Sequence, residues 1–345
     1  ISDKILIMRN GKIIEQGLNK KILNSPKETY TKALLSLIIN NKKRLKKLPT
    51  IESFDKNFKE EAETKTERKK RIKNIYSGKP ILEIKDLSKF YNTSKSLFTK
   101  NKGFKALSNI SLKLFRGETL GLIGESGSGK TTLSNSILKI NKFNSGEILF
   151  KGKDVAKIKG KKLLEFRKNI QIIFQDPYAS LNPLQNIFQI ISEPIKVHKI
   201  YSKDKVYEKC KDLIIDVGLS EKFLNRYPHE LSGGQKQRVC IARAISVNPQ
   251  VIICDESVSA LDVSIQATVL NLLNLLKKKY GFTYLFISHD LSVVKYMSDK
   301  IIVLYNGKIV DYDDADKLFK IPKDNYTKKL IKTSIRAERK SKIIN

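Results

Sequence analysis

The stretch Gly124-Glu-Ser-Gly-Ser-Gly-Lys-Thr-Thr132 constrains this chain more than any other. It fits G-x4-G-K-[ST], a loop that wraps phosphate. The apolar run Thr119 to Ile123 leads in as a strand, and a helical pattern leads out from Thr131. Gly124, Gly127 and Gly129 let the backbone curl until its N–H groups converge on an anion. The helix N-terminus adds partial positive charge at the same point. Glu125, Ser126, Ser128 and Thr132 complete the loop; Lys130 would reach the β- and γ-phosphates, and Thr131 would ligate Mg²⁺. An ordinary glycine-rich turn is the bland alternative, so the loop alone indicates nucleotide phosphates and no more.

Val251-Ile-Ile-Cys-Asp255-Glu256 is a buried apolar strand ending in two acids. Such a strand delivers Asp255 to the C-terminal edge of a sheet, beside the phosphate loop. There Asp255 would hold Mg²⁺ and Glu256 would polarise an attacking water. A strand followed by a surface turn with two acids remains open as the alternative. Leu231-Ser232-Gly233-Gly234-Gln235 opens a second helix whose N-terminus is again suited to an anion. One loop already holds a triphosphate, so this second terminus must face something else. Buried apolar strands alternating with helices, and the hairpin signal Asn306-Gly307, predict an α/β sheet covered on both faces.

The chain has 345 residues, with 67 Lys+Arg against 35 Asp+Glu, a formal charge of +32. That field attracts any polyanion. Lys outnumbers Arg throughout, however, whereas a phosphodiester grip favours the planar Arg fork. The charge therefore reads as compositional. No apolar run approaches the roughly 20 residues that span a bilayer. Cys210, Cys240 and Cys254 are far apart and form no CxxC pair; they read as small buried residues.

Residues 2–39 and 298–335 align without a gap, sharing SDKI, NGKI, PK and YTK at the same offsets. The first copy is expected to be the tail of an upstream domain, and a related whole domain follows. Between them, residues 40–78 are charged, poor in glycine and lack a clean amphipathic face, which predicts a solvated linker or frayed helix, with a polyanion-binding arm as the alternative.

The set now on the page resembles the ATP-binding subunits of ABC transporters. The order matches over about residues 80–310: phosphate loop, Gln175 in IIFQDP, LSGGQ, VIICDE, Ser259-Ala-Leu-Asp262 and His289 in ISHD. The resemblance implies a P-loop NTPase with a RecA-like core, an antiparallel β subdomain and a helical subdomain at about 176–246. It implies Mg-dependent ATP hydrolysis, with ATP and Mg²⁺ as cofactors. Tyr91 would stack on adenine. Glu256, His289 and Gln175 would serve catalysis, with His289 on the γ-phosphate. Thr131, Gln175 and Asp255 would serve the metal. Ser232, Gly233, Gly234, Gln235 and Asp262 would contact ATP held by another subunit. Ser257 departs from the family, which commonly has Pro after the acid pair.

A narrower resemblance, to the oligopeptide/dipeptide import subfamily and its second ATPase subunit, rests on four stretches. They are the insertion after Lys89-Phe-Tyr91, YASLNP after Gln175, SVSALDVSIQA, and P-x-x-x-YTKKL at Pro322 to Leu330. Residues 1–39 end in the same pattern, at Pro26 to Leu34, and resemble the end of a related ATPase. The expected domains are 1–39 as that remnant, 40–78 as linker, 79–311 as the nucleotide-binding domain and 312–345 as the subfamily extension. The implied partners are a second ATPase subunit, two membrane permeases and, indirectly, an external solute-binding protein. The implied location is peripheral, at the cytoplasmic face of the membrane. A soluble ABC-type ATPase acting on nucleic acid or ribosomes is the alternative.

Overall fold

The computed structural model describes residues 3–37, 39, 44–54, 58–91 and 104–343, with side chains described to residue 334. The insertion at 92–103 lies outside the described residues.

The first unit is β1 (Lys4–Arg9), β2 (Lys12–Leu18), α1 (Asn19–Asn24) and α2 (Thr29–Ser36). The linker carries α3 (Ile51–Phe54) and α4 (Lys65–Tyr76). The main domain begins with β3 (Pro80–Tyr91), β4 (Phe104–Phe115), β5 (Thr119–Ile123), α5 (Lys130–Ile137), β6 (Ser145–Phe150) and β7 (Lys153–Asp154). It continues with α6 (Gly160–Asn169), β8 (Ile170–Ile173), α7 (Pro177–Ser180), α8 (Ile187–Val197), α9 (Val206–Asp216) and α10 (Gly233–Ile245). It ends with β9 (Val251–Asp255), α11 (Val263–Tyr280), β10 (Thr283–Ile287), α12 (Leu291–Met297), β11 (Lys300–Tyr305), β12 (Lys308–Asp314), α13 (Ala315–Lys320) and α14 (Asn325–Ile343).

The principal sheet has the order β12-β11-β5-β10-β9-β8, parallel except for the edge strand β12. Its strands are covered on both faces, and their alternation divides two cores. Ile252, Cys254, Tyr284 and Phe286 face one core, shared with α8, α10, α11 and α12. Val251, Ile253, Leu285 and Ile287 face the other, shared with α5 and the antiparallel sheet β4-β3-β6-β7. Burial pushes the Cys210 and Cys254 thiols to about 12 and the Cys240 thiol to about 11, as inert core residues require. The expected boundary at 311/312 falls inside β12.

Asn306 and Gly307 both adopt positive φ, 47° and 71°, the geometry of a two-residue hairpin turn. Asn10 and Gly11 do the same, at 51° and 74°. Indeed β1, β2, α1 and the start of α2 reproduce β11, β12, α13 and the start of α14 at one constant offset. Even the register irregularity recurs, between Ile7 and Met8 and between Val303 and Leu304. The surroundings differ. Ile302 and Leu304 are fully buried, whereas Leu6 and Met8 at the matching positions are 55% and 58% exposed.

The solvated linker is corrected by the structure. Leu48 is buried in the helix-side core. Asn271 of α11 holds the Leu48 backbone at both groups, accepting its N–H at 2.8 Å and donating to its carbonyl at 2.9 Å. Arg44 donates to the Ser298 carbonyl at 2.9 Å, and Arg68 pairs with Asp314 at 2.8 Å. Arg71 bonds both Glu63 and the buried Asp299. Asp299 also accepts the Thr119 N–H at 2.8 Å and faces Lys277 at 3.6 Å. The charges that suggested solvent are the means of docking, since a buried carboxylate needs paired cations.

Glu118 sits beneath the same junction, fully buried, accepting from the Tyr76 hydroxyl at 2.5 Å and the Phe115 N–H at 2.8 Å. Burial raises its carboxyl from 4.5 to about 7. The folded state then holds a proton that the unfolded state has released between these values. Stability should therefore fall as pH rises from about 4.5 to 7, by about 3 kcal/mol at most. Urea unfolding at pH 5 and pH 8 checks this: Glu118→Gln should remove most of the difference, and an unchanged slope would contradict it.

Candidate nucleotide site

Parallel pairing brings the C-terminal ends of β5, β8, β9 and β10 to one sheet edge. From these ends emerge the Gly124–Thr132 loop, Gln175, Asp255-Glu256 and His289. A cavity of about 440 Å³ opens there, lined by Ser126, Gly127, Gly129, Lys130, Thr131, Thr132, Gln175, Glu256 and His289, with Phe104 and Ala106.

The loop needs its glycines for two reasons. Gly129 adopts φ 109°, and a Cβ there would lie 2.6 Å from the Ala106 carbonyl oxygen. A Cβ on Gly124 would lie 2.2 Å from the Leu304 carbonyl oxygen. Lys130, only 6% exposed, donates to the Gly124 and Glu125 carbonyls at 2.8 and 2.9 Å. Burial lowers its pKa, and the nearby Glu256 and Asp255 oppose that. Ser128 is buried against Gly124, and Glu125 donates its N–H to the Tyr326 hydroxyl at 3.1 Å. Asp255 ends β9 with its pKa raised by burial and by Glu256, opposed by Lys130 and Ser134.

Glu256 adopts φ 49°, uncommon for a non-glycine residue, and donates its N–H to the Ile287 carbonyl at 2.9 Å. Its Oε2 lies 3.0 Å from His289 Nδ1. Two strand ends thus converge on one acid–imidazole pair at the cavity wall. Thr131, Gln175 and Asp255 offer oxygen donors only, a set that suits a hard cation such as Mg²⁺ with phosphate and water completing the shell.

Tyr91 stands apart. It ends β3, 38% exposed, with Lys89 Nζ 4.9 Å from its ring centroid, and it does not line the cavity. Its cross-strand partner Phe104 does. No sequence signal marked Phe104, because the register between β3 and β4 spans the insertion.

Ser232, Gly233, Gly234, Gln235 and Asp262 are likewise absent from this cavity. Ser232 caps α10 reciprocally: its Oγ accepts the Gln235 N–H at 3.4 Å, and Gln235 accepts the Ser232 N–H at 3.0 Å. Gly234 packs where a Cβ would lie 2.6 Å from Ile265 Cγ2. Asp262 caps α11, accepting from the Ile265 N–H at 3.3 Å. Ser232, Gly234 and Gln235 line a separate depression of about 440 Å³, together with linker residues Thr50 to Glu52. The two phosphate-suited ends of this chain do not share a cavity.

The ABC transporter family pattern matches residues 107–259. The oligopeptide transport ATP-binding protein AppF of Bacillus subtilis (strain 168) is 47% identical over 253 residues, covering 73% of this chain and 77% of that protein. The chain belongs to the ABC transporter ATP-binding proteins. OppF of the same organism, also an oligopeptide transport ATP-binding protein, is 49% identical over 253 residues, 73% of this chain and 81% of that one. The glutathione import ATP-binding protein GsiA of Salmonella paratyphi A is 39% identical over 337 residues, 96% of this chain but 53% of that protein. A pattern described as the C-terminal region of oligopeptide/dipeptide transporters matches residues 14–65 of this ABC protein. Among solved structures, a dimeric ATP-binding cassette in a post-hydrolysis state with ADP and Pi superposes with TM-score 0.60 at 28% identity, covering 68% of this chain and 98% of that one. The cassette cbiO1 from Clostridium perfringens gives TM-score 0.63 at 28% identity, over 77% and 99%. Among the described residues of this ABC protein, no helix is long and apolar enough to cross a membrane.

Proposed function

We propose that this chain is a Mg-dependent ATPase subunit that powers an importer of oligopeptides or dipeptides. The observation that carries the chemistry is the Glu256–His289 pair, 3.0 Å apart, on the wall of the cavity that holds Lys130 and Thr131. Lys130 and the loop N–H groups orient the triphosphate. Thr131, Gln175 and Asp255 would hold Mg²⁺, which when bound neutralises charge between the β- and γ-phosphates. Glu256 accepts a proton from the attacking water, and His289 steadies its carboxylate and reaches toward the γ-phosphate. Ser232–Gln235 and Asp262 serve a nucleotide held by a second ATPase subunit, which fits their separation from the chain's own loop. The peptide substrate is supported by the names of AppF and OppF. Two membrane permeases and an external solute-binding protein complete the assembly, with this subunit peripheral at the cytoplasmic face.

Among the described residues nothing favours a nucleic-acid role beyond the formal charge of +32. Arg44, Arg68 and Arg71, cations of the most basic stretch, are engaged by Asp316, Asp314 and Asp299.

We infer further that residues 3–37 close the sheet of a second nucleotide-binding domain. The duplication of β11–β12 by β1–β2, the exposed Leu6 and Met8, and the pattern match at 14–65 support this. GsiA, of which this chain spans about half, is long enough to hold two such domains. Sequence read in frame ahead of residue 1 should carry another phosphate loop and LSGGQ-type helix; an unrelated frame there would contradict the inference.

The ATPase reading is tested by Glu256→Gln, which keeps the shape and removes the anionic acceptor. ATP affinity should be retained while turnover falls about 10²–10⁴-fold. Near wild-type turnover at saturating ATP would exclude Glu256 as the general base.

A further inference from the structure

The short helix α7 follows Gln175 and packs against α10, the helix that opens with Ser232–Gln235. Two contacts fix it. Lys236 lies in the first turn of α10, is only 7% exposed, and has no carboxylate within 4 Å among the described residues. Its ammonium instead sits 3.7 Å from the ring centroid of Tyr178. That is cation–π geometry, which strengthens as the cation loses water. The Tyr178 hydroxyl lies beside Gly233, 3.6 Å from where a Cβ on that residue would stand. Seven residues on, and so on the same helical face, Arg243 Nη1 donates to the Ser180 carbonyl at 2.5 Å.

The turn between these contacts is itself braced. Asp176 accepts the Tyr178 N–H at 2.7 Å, and the Ser180 hydroxyl donates to the Asp176 carbonyl at 2.6 Å. Tyr178 is 62% exposed, far more than packing alone would demand of a tyrosine ring. Its ring lies over the ammonium of Lys236.

We propose that Tyr178 and Lys236 are positioning residues that bolt the segment after Gln175 to the signature helix, so that Gln175 and Ser232–Gln235 move as one body. The effect on turnover rests on the ATPase reading above; the bolt itself rests on geometry alone. A displacement at Gln175 is then delivered to the surface that meets the second subunit's nucleotide. Loss of the bolt leaves α7 tied to α10 through Arg243 and Ser180 alone, which loosens the turn and misplaces Ser232–Gln235, while the Gly124–Thr132 loop is untouched.

With the second ATPase subunit supplied, the full chain is compared with Tyr178→Phe, Tyr178→Leu, Lys236→Met and the Leu/Met double variant. ATP Kd, kcat, KM and hydrogen exchange at amides 178–181 are measured. Tyr178→Phe keeps the ring face and should match wild type. Tyr178→Leu and Lys236→Met should keep Kd and KM within about twofold and lose about tenfold in kcat, with faster exchange at 178–181. The double variant should fall no further than either single, because both remove one contact. Wild-type kcat and exchange in Tyr178→Leu, or equal losses in Tyr178→Phe, would overturn the proposal. A wild-type chain without turnover even when the second ATPase subunit is supplied would refute the ATPase reading instead, and the exchange at 178–181 would then decide the bolt by itself.

Discussion

β5 is buried at every residue and hydrogen-bonds in parallel on both sides, to β10 and to β11. That pairing depends on the run Thr119–Ile123 having nothing that needs water. Because its neighbours run the same way, their C-terminal ends share one edge. The phosphate loop leaves Ile123 there, Glu256 hangs from the end of β9, and His289 follows β10. Glu256 donates its N–H to the last carbonyl of β10, so the register of the sheet sets the acid–imidazole distance directly. A slip of one residue in any of these strands would invert its side chains between the two cores and scatter the site.

Much of this was legible from sequence because the decisive residues are contiguous. Gly124–Thr132, Val251–Glu256 and Leu231–Gln235 each carry their own local structure: glycines for a tight loop, an apolar strand ending in acid, a serine cap with its reciprocal glutamine. Asn306-Gly307 forms the hairpin its residue types demand, and its geometry touches the loop, with Gly307 N–H donating to the Ser128 carbonyl at 3.0 Å. What escaped were features made by pairs distant in sequence. Phe104 reaches the cavity through a register across an insertion. The linker docks through Arg44, Arg68 and Arg71 onto Asp316, Asp314 and Asp299, each more than 200 positions away. Composition read those arginines as solvated, since it cannot see Asp299 waiting beneath them. Lys236 looked like one more lysine of a lysine-rich chain.

The linker changes the picture of how the halves of the chain relate. It is held at Leu48 by Asn271 and at Arg71 by Asp299, and both attachments end on elements that serve the site. Asn271 belongs to α11, which Asp262 opens. Asp299 accepts from Thr119, the first residue of β5. Thr50 to Glu52 consequently border the depression of Ser232, Gly234 and Gln235. The charged segment is structural on its own account, and it lies along the face through which the signature residues would meet another nucleotide.

The central claim is that one chain holds two phosphate-suited ends belonging to two different composite sites. ATP stoichiometry, measured by calorimetric titration of the full chain, tests it most directly. The account predicts one ATP per chain, lost in Lys130→Ala and preserved in Ser232→Arg. Two ATP per chain, or a nucleotide still bound at the signature depression when Lys130 is removed, would contradict it.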